Sequence, residues 1–237
     1  MGRARRAGPG PALAVSTNVG IAPSENLLAL TTSRPSPGPL SPAPLIGPST
    51  TLRAVSTNSD KYRKAIAGFS TVVGSVQDWS AASPCQGWTA RDVVGHVIGG
   101  VQVISGVQTG KAPQRGDPAA NAGEDAAGAF TRERDLAFGA LTEDNLAKKV
   151  QGPMGEMPLD QMIGMFLTPD VLIHTWDLGR AAGVAVELDP QLVEETYNAL
   201  LPIDAMVRSP GVFGPKVEPP ADADAQTKLI CFVGRAP

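Results

Sequence analysis

The chain contains only two histidines, His96 and His174, and both lie on apolar helical stripes. Asp170 precedes His174 by four residues, which places a carboxylate and an imidazole on the same face of a helix. If the helix that carries His96 packs beside this one, two imidazoles and one carboxylate converge. Three such ligands with an open fourth position are typical of a catalytic zinc site. A hydrogen-bonded core histidine is the alternative, and spacing alone leaves both interpretations open.

Other polar residues follow the second histidine. Asp177 and Arg180 stand where they either orient a ligand or form an exposed ion pair three residues apart. Arg235 is a candidate to face an anionic substrate, although nothing in the sequence places it near the histidines.

One cysteine and two tryptophans lie close to the candidate ligands in sequence. Cys85 follows a turn and has no basic neighbour within its own segment, which favours a small buried or half-buried thiol. Trp88 and Trp176 are expected to pack the core rather than to bind a substrate. The sequence contains no glycine-rich phosphate loop.

The elements that must position these residues are helices, because apolar residues recur at spacings of three and four. No segment shows the convincing alternation of apolar and polar residues that is typical of a β-strand. Asn58 or Ser59 is predicted to cap the first helix, and Thr89, with Asp92 in a capping box, the second. The predicted helices cover 60–79, 89–110, 117–141, 158–182 and 189–201, followed by a short helix around 229–233.

The fourth predicted helix, 158–182, contains Pro169, which removes a backbone hydrogen bond and crowds the preceding turn. We therefore expect either a kink there or a stop and a restart with Thr168 as the new cap. A short hairpin is predicted before this helix, in the Gly/Pro-rich stretch 150–158.

Composition excludes several classes of protein. The 237 residues carry a net charge of −3, which is unsuited to general binding of a nucleic-acid backbone. No apolar run approaches the ~20 residues of a membrane-spanning helix. Two cysteines, Cys85 and Cys231, cannot form a disulfide scaffold, so a reducing, cytoplasmic location is expected.

The first part of the chain differs from the rest. Residues 1–50 hold nine of the 22 prolines and are rich in alanine and serine. Such a segment has little to bury, and we predict a disordered tail over 1–54 and a helical domain over 55–237. Pro11 and the polar residues 16–18 interrupt any apolar core, which argues against a secretory signal.

Two signature stretches and two short C-terminal stretches resemble a known family. The stretch 85–96, CQGWTARDVVGH, resembles the "PC-x-x-W-x-x-x-x-L-x-x-H" signature of the DinB-like, mycothiol-dependent maleylpyruvate isomerase N-terminal domain family. The stretch 170–178, DVLIHTWDL, resembles its "E-x-x-x-H-x-W-D-L" signature. The stretches 213–215 and 229–235 are similar to an actinobacterial metal-binding branch.

The resemblance implies an all-α fold, a DinB-like four-helix bundle with additional short C-terminal helices. It also implies a divalent metal, with zinc expected, held by His96, Asp170 and His174. Asp170 stands where the family usually has glutamate, and Pro169 precedes it. Because the sequence ends at Pro237, we expect it to lack the additional C-terminal domain of the full isomerase.

Two functional hypotheses follow from these observations. In the first, the protein is a metal-dependent transferase or isomerase that uses a small thiol of the mycothiol type to act on an electrophile. In the second, it is a non-catalytic or vestigial metal-binding bundle that acts through association. The sequence names neither the catalytic residues nor the substrate, and it leaves the oligomeric state open between a monomer and a homodimer.

Overall fold

The computed structural model describes residues 56–110, 116–209 and 211–237. The tail predicted over 1–54 lies outside the described residues and stays a prediction. Within the described part of the chain, no helix has both the length and the apolar character that a membrane span needs.

Four long helices share one core and confirm the predicted all-α class. They are α1 (Asn58–Val73), α2 (Ala90–Thr109), α4 (Ala126–Ala140) and α7 (Thr168–Ala182). Helix α1 packs against α7 and α4, and α2 packs against the same two helices, so the four form a closed ring.

Shorter elements connect and extend these four helices. A two-stranded antiparallel hairpin occupies the predicted place, with Val150 paired to Met157 and both side chains facing the core. The strands are β1 (Lys149–Gly152) and β2 (Gly155–Pro158). The short helices are α3 (Pro118–Ala122), α5 (Glu143–Leu146), α6 (Leu159–Met162), α8 (Pro190–Leu200), α9 (Asp204–Val207) and α10 (Ala225–Phe232).

Helix α1 begins at Asn58, two residues before the predicted start at residue 60, because Thr57 is its cap. The Thr57 hydroxyl accepts the Asp60 N–H, and the Asp60 carboxylate accepts the Thr57 N–H in return. The prediction of Asn58 or Ser59 as the cap was wrong. The Asn58 amide instead donates to the Asp160 carboxylate at 2.8 Å and joins the start of α1 to α6.

The same helix ends at Val73, so its predicted extension to residue 79 was also wrong. Gly74 closes the last turn by donating its N–H to the Ser70 carbonyl. Val76 and Trp79 still pack on the core from the irregular segment that follows. The apolar pattern therefore continues beyond the end of the helix, because residues of the following irregular segment are also buried.

Helix α2 begins and ends as predicted. Thr89 and Asp92 form the capping box, and Gly110 ends the helix with a positive φ of 65°. The third predicted helix, 117–141, is instead divided in two by Gly123, whose φ is 57°. Asp125 then caps α4 by accepting the Gly128 N–H at 2.9 Å.

The chain around Pro169 neither stops nor restarts. A π-helical turn, Ile163–Leu167, joins α6 to α7, and Leu167 keeps helical backbone angles. The hydroxyl of Thr168 caps nothing; it is buried and has no hydrogen-bond partner among the described residues. The predicted restart at Thr168 was wrong, because the wider π turn carries the chain into α7 without a new cap.

The close approach of α2 and α3 depends on Gly95. A Cβ atom at Gly95 would clash with the backbone carbonyl of Pro118, whereas one at exposed Gly68 would meet open space. The Asn121 amide also donates to the Gly95 carbonyl at 3.1 Å. Small size at residue 95 therefore keeps α3 against the helix that carries His96.

We expect Gly95→Ala to lower the free energy of unfolding by about 2 kcal/mol, because backbone rather than a flexible side chain must move. Gly68→Ala is the matched control, and should raise it by about 0.5–1 kcal/mol through helix propensity. Urea unfolding followed by circular dichroism measures both. A Gly95→Ala protein as stable as the wild type would contradict this account of the α2–α3 contact.

Candidate metal centre

The structure brings His96, Asp170 and His174 together. Oδ1 of Asp170 lies 3.2 Å from Nε2 of His96 and 3.7 Å from Nε2 of His174. One ligand atom from each residue lies within 4.8 Å of the other two. The two imidazole centroids are 4.7 Å apart.

The packing of α2 on α7 creates this convergence. His96 lies on the inward face of α2, one turn before Gly100, while Asp170 and His174 lie one turn apart on α7. A Cβ atom at Gly100 would lie 3.9 Å from Oδ2 of Asp170. At this approach the aspartate side chain, although shorter than the glutamate typical of the signature, reaches both imidazoles.

The second nitrogen of His174 has its own carboxylate. Nδ1 lies 2.9 Å from Oδ2 of Asp177, which is completely buried three residues further along α7. A hydrogen bond from Nδ1–H to a carboxylate fixes both the ring orientation and the tautomer of an imidazole. Asp177 therefore turns Nε2 of His174 towards Asp170.

Asp177 is in turn paired with Arg235, not with Arg180. The Arg235 side chain donates through Nη2 to Oδ2 at 3.0 Å and through Nε to Oδ1 at 3.2 Å. The Arg180 guanidinium instead lies over the Trp176 ring, 5.5 Å from its centroid. Of the two predicted roles for Asp177, the structure supports orientation of a candidate ligand rather than an exposed pair with Arg180.

These contacts shift two pKa values in opposite directions. Burial alone would raise the pKa of Asp177, but its hydrogen bonds to His174 and Arg235 outweigh burial and bring the pKa down to about 2. Burial alone would lower the pKa of His174, but its contacts with Asp177, Cys85 and Asp170 raise the pKa to about 10. The raised pKa favours His174 as an imidazolium, and a metal ion at Nε2 would have to replace the proton there.

Cys85 is half-buried, as expected, but its surroundings were not predicted. Its Sγ lies 3.2 Å from Oδ2 of Asp177, 3.4 Å from Nη2 of Arg235 and 3.9 Å from Nδ1 of His174. The basic neighbour comes from 150 residues further along the chain. No sequence signal pointed to this contact.

Cys85, His174 and Asp177 form a second group with ligand atoms close enough to hold a cation. It shares His174 with the first group, so both groups cannot use the same ring nitrogen. The Arg235 guanidinium already binds both oxygens of Asp177 and would repel a cation there. Charge therefore disfavours a cation in this second group.

Trp88 covers the two candidate histidines. Its ring centroid lies 5.0 Å from that of His96 and 5.9 Å from that of His174, and its side chain is partly buried against the core. Trp176 is buried, as expected. Trp88 also packs as predicted, but it packs on the candidate ligands themselves.

Tyr62 of α1 adds a buried phenol near Asp170. Its side chain is 1% exposed, and its hydroxyl finds no hydrogen-bond partner among the residues that the structure describes. Burial, and secondly the charge of Asp170, raises the pKa of Tyr62, so the phenol stays protonated. It is therefore a hydrogen-bond donor beside the cluster that sequence analysis missed.

Comparison with known proteins gives three similarities. The family model for the mycothiol maleylpyruvate isomerase N-terminal domain matches residues 62–179. Uncharacterized proteins from two strains of Mycobacterium tuberculosis are 31% identical over 185 residues, which cover 73% of this chain and 95% of each relative. A crystal structure of the mycothiol-dependent maleylpyruvate isomerase aligns with 63% of this chain and 68% of its own, at 16% identity and a TM-score of 0.44.

The metal-free protein should lose stability as His174 deprotonates. The folded pKa of about 10 exceeds the unfolded value of about 6.5, so the contribution is full below about pH 6.5 and is lost as pH rises through 10. We expect the free energy of unfolding of chelator-treated protein to fall across this window, and to fall less for His174→Gln. Urea unfolding at a series of pH values measures it, and parallel profiles for the two proteins would contradict the raised pKa.

Proposed function

The chain belongs to the mycothiol maleylpyruvate isomerase N-terminal domain family, and we propose that it is a metal-dependent enzyme that works with a small thiol of the mycothiol type. His96, Asp170 and His174 would hold a divalent ion, zinc by preference. The reaction would be a thiol-dependent transfer to, or isomerisation of, a small electrophile. The observation that carries this proposal is the approach of both Nε2 atoms to one oxygen of Asp170.

The donor set suits zinc. Two imidazole nitrogens and one carboxylate oxygen are borderline donors of the kind found in catalytic zinc sites, which keep a fourth position for water or substrate. Ligands about 2.0–2.1 Å from a tetrahedral ion stand about 3.3 Å apart. The observed separations of 3.2 and 3.7 Å from Oδ1 of Asp170 lie close to that value.

The neighbours of the cluster also suit a metal ligand. Asp177 accepts from Nδ1 of His174 and leaves Nε2 as the coordinating nitrogen. Arg235 balances the Asp177 charge, so that this carboxylate orients the imidazole without competing for the ion. Holding the imidazole in the required orientation in advance strengthens metal binding, because the ring has little freedom left to lose when the metal binds.

When bound, a divalent cation favours the thiolate over the thiol of a cofactor and so supplies a nucleophile near neutral pH. The chain's own residues would prepare the site for it. His174 gives up its Nε2 proton while Asp177 retains the Nδ1 hydrogen bond. Trp88 shields one side of the imidazoles from water, and the protonated Tyr62 hydroxyl offers a hydrogen bond near Asp170.

A non-catalytic metal-binding bundle that acts through association is the second candidate. The observation that favours it is Trp88, whose ring lies across both imidazoles and narrows the approach to them. A cavity of about 560 Å³ lies elsewhere, beside Trp176 and Arg180, and none of the three candidate ligands lines it. Metal binding is common to both candidates, and turnover separates them.

Metal analysis of purified protein tests the ligand set. We expect one zinc ion per chain in the wild type and its loss in His96→Ala and His174→Ala, because two remaining ligands hold zinc poorly. Cys85→Ser is the matched control, since it alters only the second group, and it should keep the metal. Loss of zinc from Cys85→Ser with retention in His96→Ala would assign the ion to the second group instead.

Turnover is tested on the metal-loaded protein with mycothiol and a panel of electrophiles that includes maleylpyruvate. We expect thiol-dependent conversion that disappears on chelation and returns when zinc is restored, because the thiolate requires the cation. His174→Ala should be inactive under the same conditions. Full zinc occupancy without conversion of any substrate would favour the non-catalytic bundle.

A further inference from the structure

The pairing of Arg235 with Asp177 joins the segment after α10 to the candidate metal centre. Asp177 is wholly buried, and an ionised carboxylate in such a place is costly unless it is paired and hydrogen-bonded. Arg235 supplies that pairing side-on, with Nε on one oxygen and Nη2 on the other. Two parallel bonds fix the plane of the carboxylate as well as its position.

Arg235 is itself held rigidly. Its backbone N–H donates to the Ile230 carbonyl at 3.0 Å, and its Nη1 donates to the Val233 carbonyl at 2.8 Å. Gly234 turns the chain just before it with a φ of 85°, and a Cβ atom there would lie 2.8 Å from the Pro215 carbonyl oxygen. The guanidinium therefore arrives at Asp177 from a backbone turn with little freedom to vary.

We propose that Arg235 is a positioning residue of the metal centre, which acts through Asp177 to keep Nε2 of His174 directed at the ion. This inference rests on the proposed function, because it assumes a metal on the Nε2 side. Without Arg235, the carboxylate plane of Asp177 is fixed only by its contacts with His174 and Cys85. The orientation of the His174 imidazole is then less well defined, and the ion loses a preorganised ligand.

The experiment compares zinc affinity, by chelator competition, and the absorption spectrum of the cobalt-substituted protein in Arg235→Met, Arg235→Lys and the wild type. We expect Arg235→Met to bind zinc about tenfold more weakly and to change the cobalt spectrum. Arg235→Lys should recover part of the affinity, since it keeps the charge but not the side-on pair. Thermal unfolding of the metal-free variants shows whether each is folded.

Arg208→Met is the matched control. Arg208 binds the Phe232 carbonyl and the Asp204 carboxylate, so it also holds the α10 region, but it has no contact with Asp177. This variant should lose stability while keeping the wild-type zinc affinity and cobalt spectrum. An equal loss of affinity in Arg208→Met would overturn the proposal, because α10 packing in general would then explain the effect.

A double-mutant cycle isolates the route of the effect. If Arg235 acts through Asp177, then adding Arg235→Met to Asp177→Asn should weaken zinc binding no further. Additive losses, or unchanged affinity in Arg235→Met, would overturn the proposal. A wild-type protein that binds no zinc would instead remove the proposed metal function on which the inference rests, so the two failures are distinguishable.

Discussion

The carboxylate of Asp177 is a charge with no access to water, and the surrounding site is arranged to stabilise it. His174, Arg235 and Cys85 all direct a donor at its oxygens. The cost of burying a carboxylate is large, so the hydrogen bonds that outweigh it must be well formed. That requirement ties three distant parts of the chain together: the turn before α2, the middle of α7 and the segment after α10.

The same carboxylate gives the two nitrogens of His174 different roles. Nδ1 faces Asp177 and Nε2 faces Asp170, so one imidazole links a buried ion pair to a more exposed cluster. In the metal-free protein a proton occupies the Nε2 side, and the raised pKa of His174 reflects how strongly this environment favours a positive charge. A divalent cation between Nε2 and Asp170 would satisfy the same electrostatic demand, and proton and metal therefore compete for one position.

Helix α7 carries Asp170, His174 and Asp177, and its entry determines where they point. The π turn over Ile163–Leu167 passes into α7, and the helix is not interrupted at Pro169, so Asp170, His174 and Asp177 lie at helical i, i+4 and i, i+3 spacings. Gly100 on α2 then faces Asp170 with no side chain of its own. Because α2 and α7 approach closely at Gly100, the shorter side chain of Asp170 is long enough to bring one oxygen near the Nε2 atoms of both imidazoles.

The residue pattern was enough to predict the all-α class, most helix positions and the placement of Asp170 and His174 on one helix face. That His96 joins them was predicted only on the condition that its helix packs beside theirs. The pattern could do so because burial leaves a periodic apolar stripe, capping boxes use local side chains, and the spacing of Asp170 and His174 lies within one helix. It did not determine the π turn. The division at Gly123 was missed, although Gly123 and the Asp125 cap that follows it are local signals for a helix end and a new start. The contact of Arg235 with Asp177 and Cys85 became visible in the tertiary structure alone. Residues far apart in the chain leave no local pattern when they meet, and any of the chain's arginines could in principle pair with a buried carboxylate.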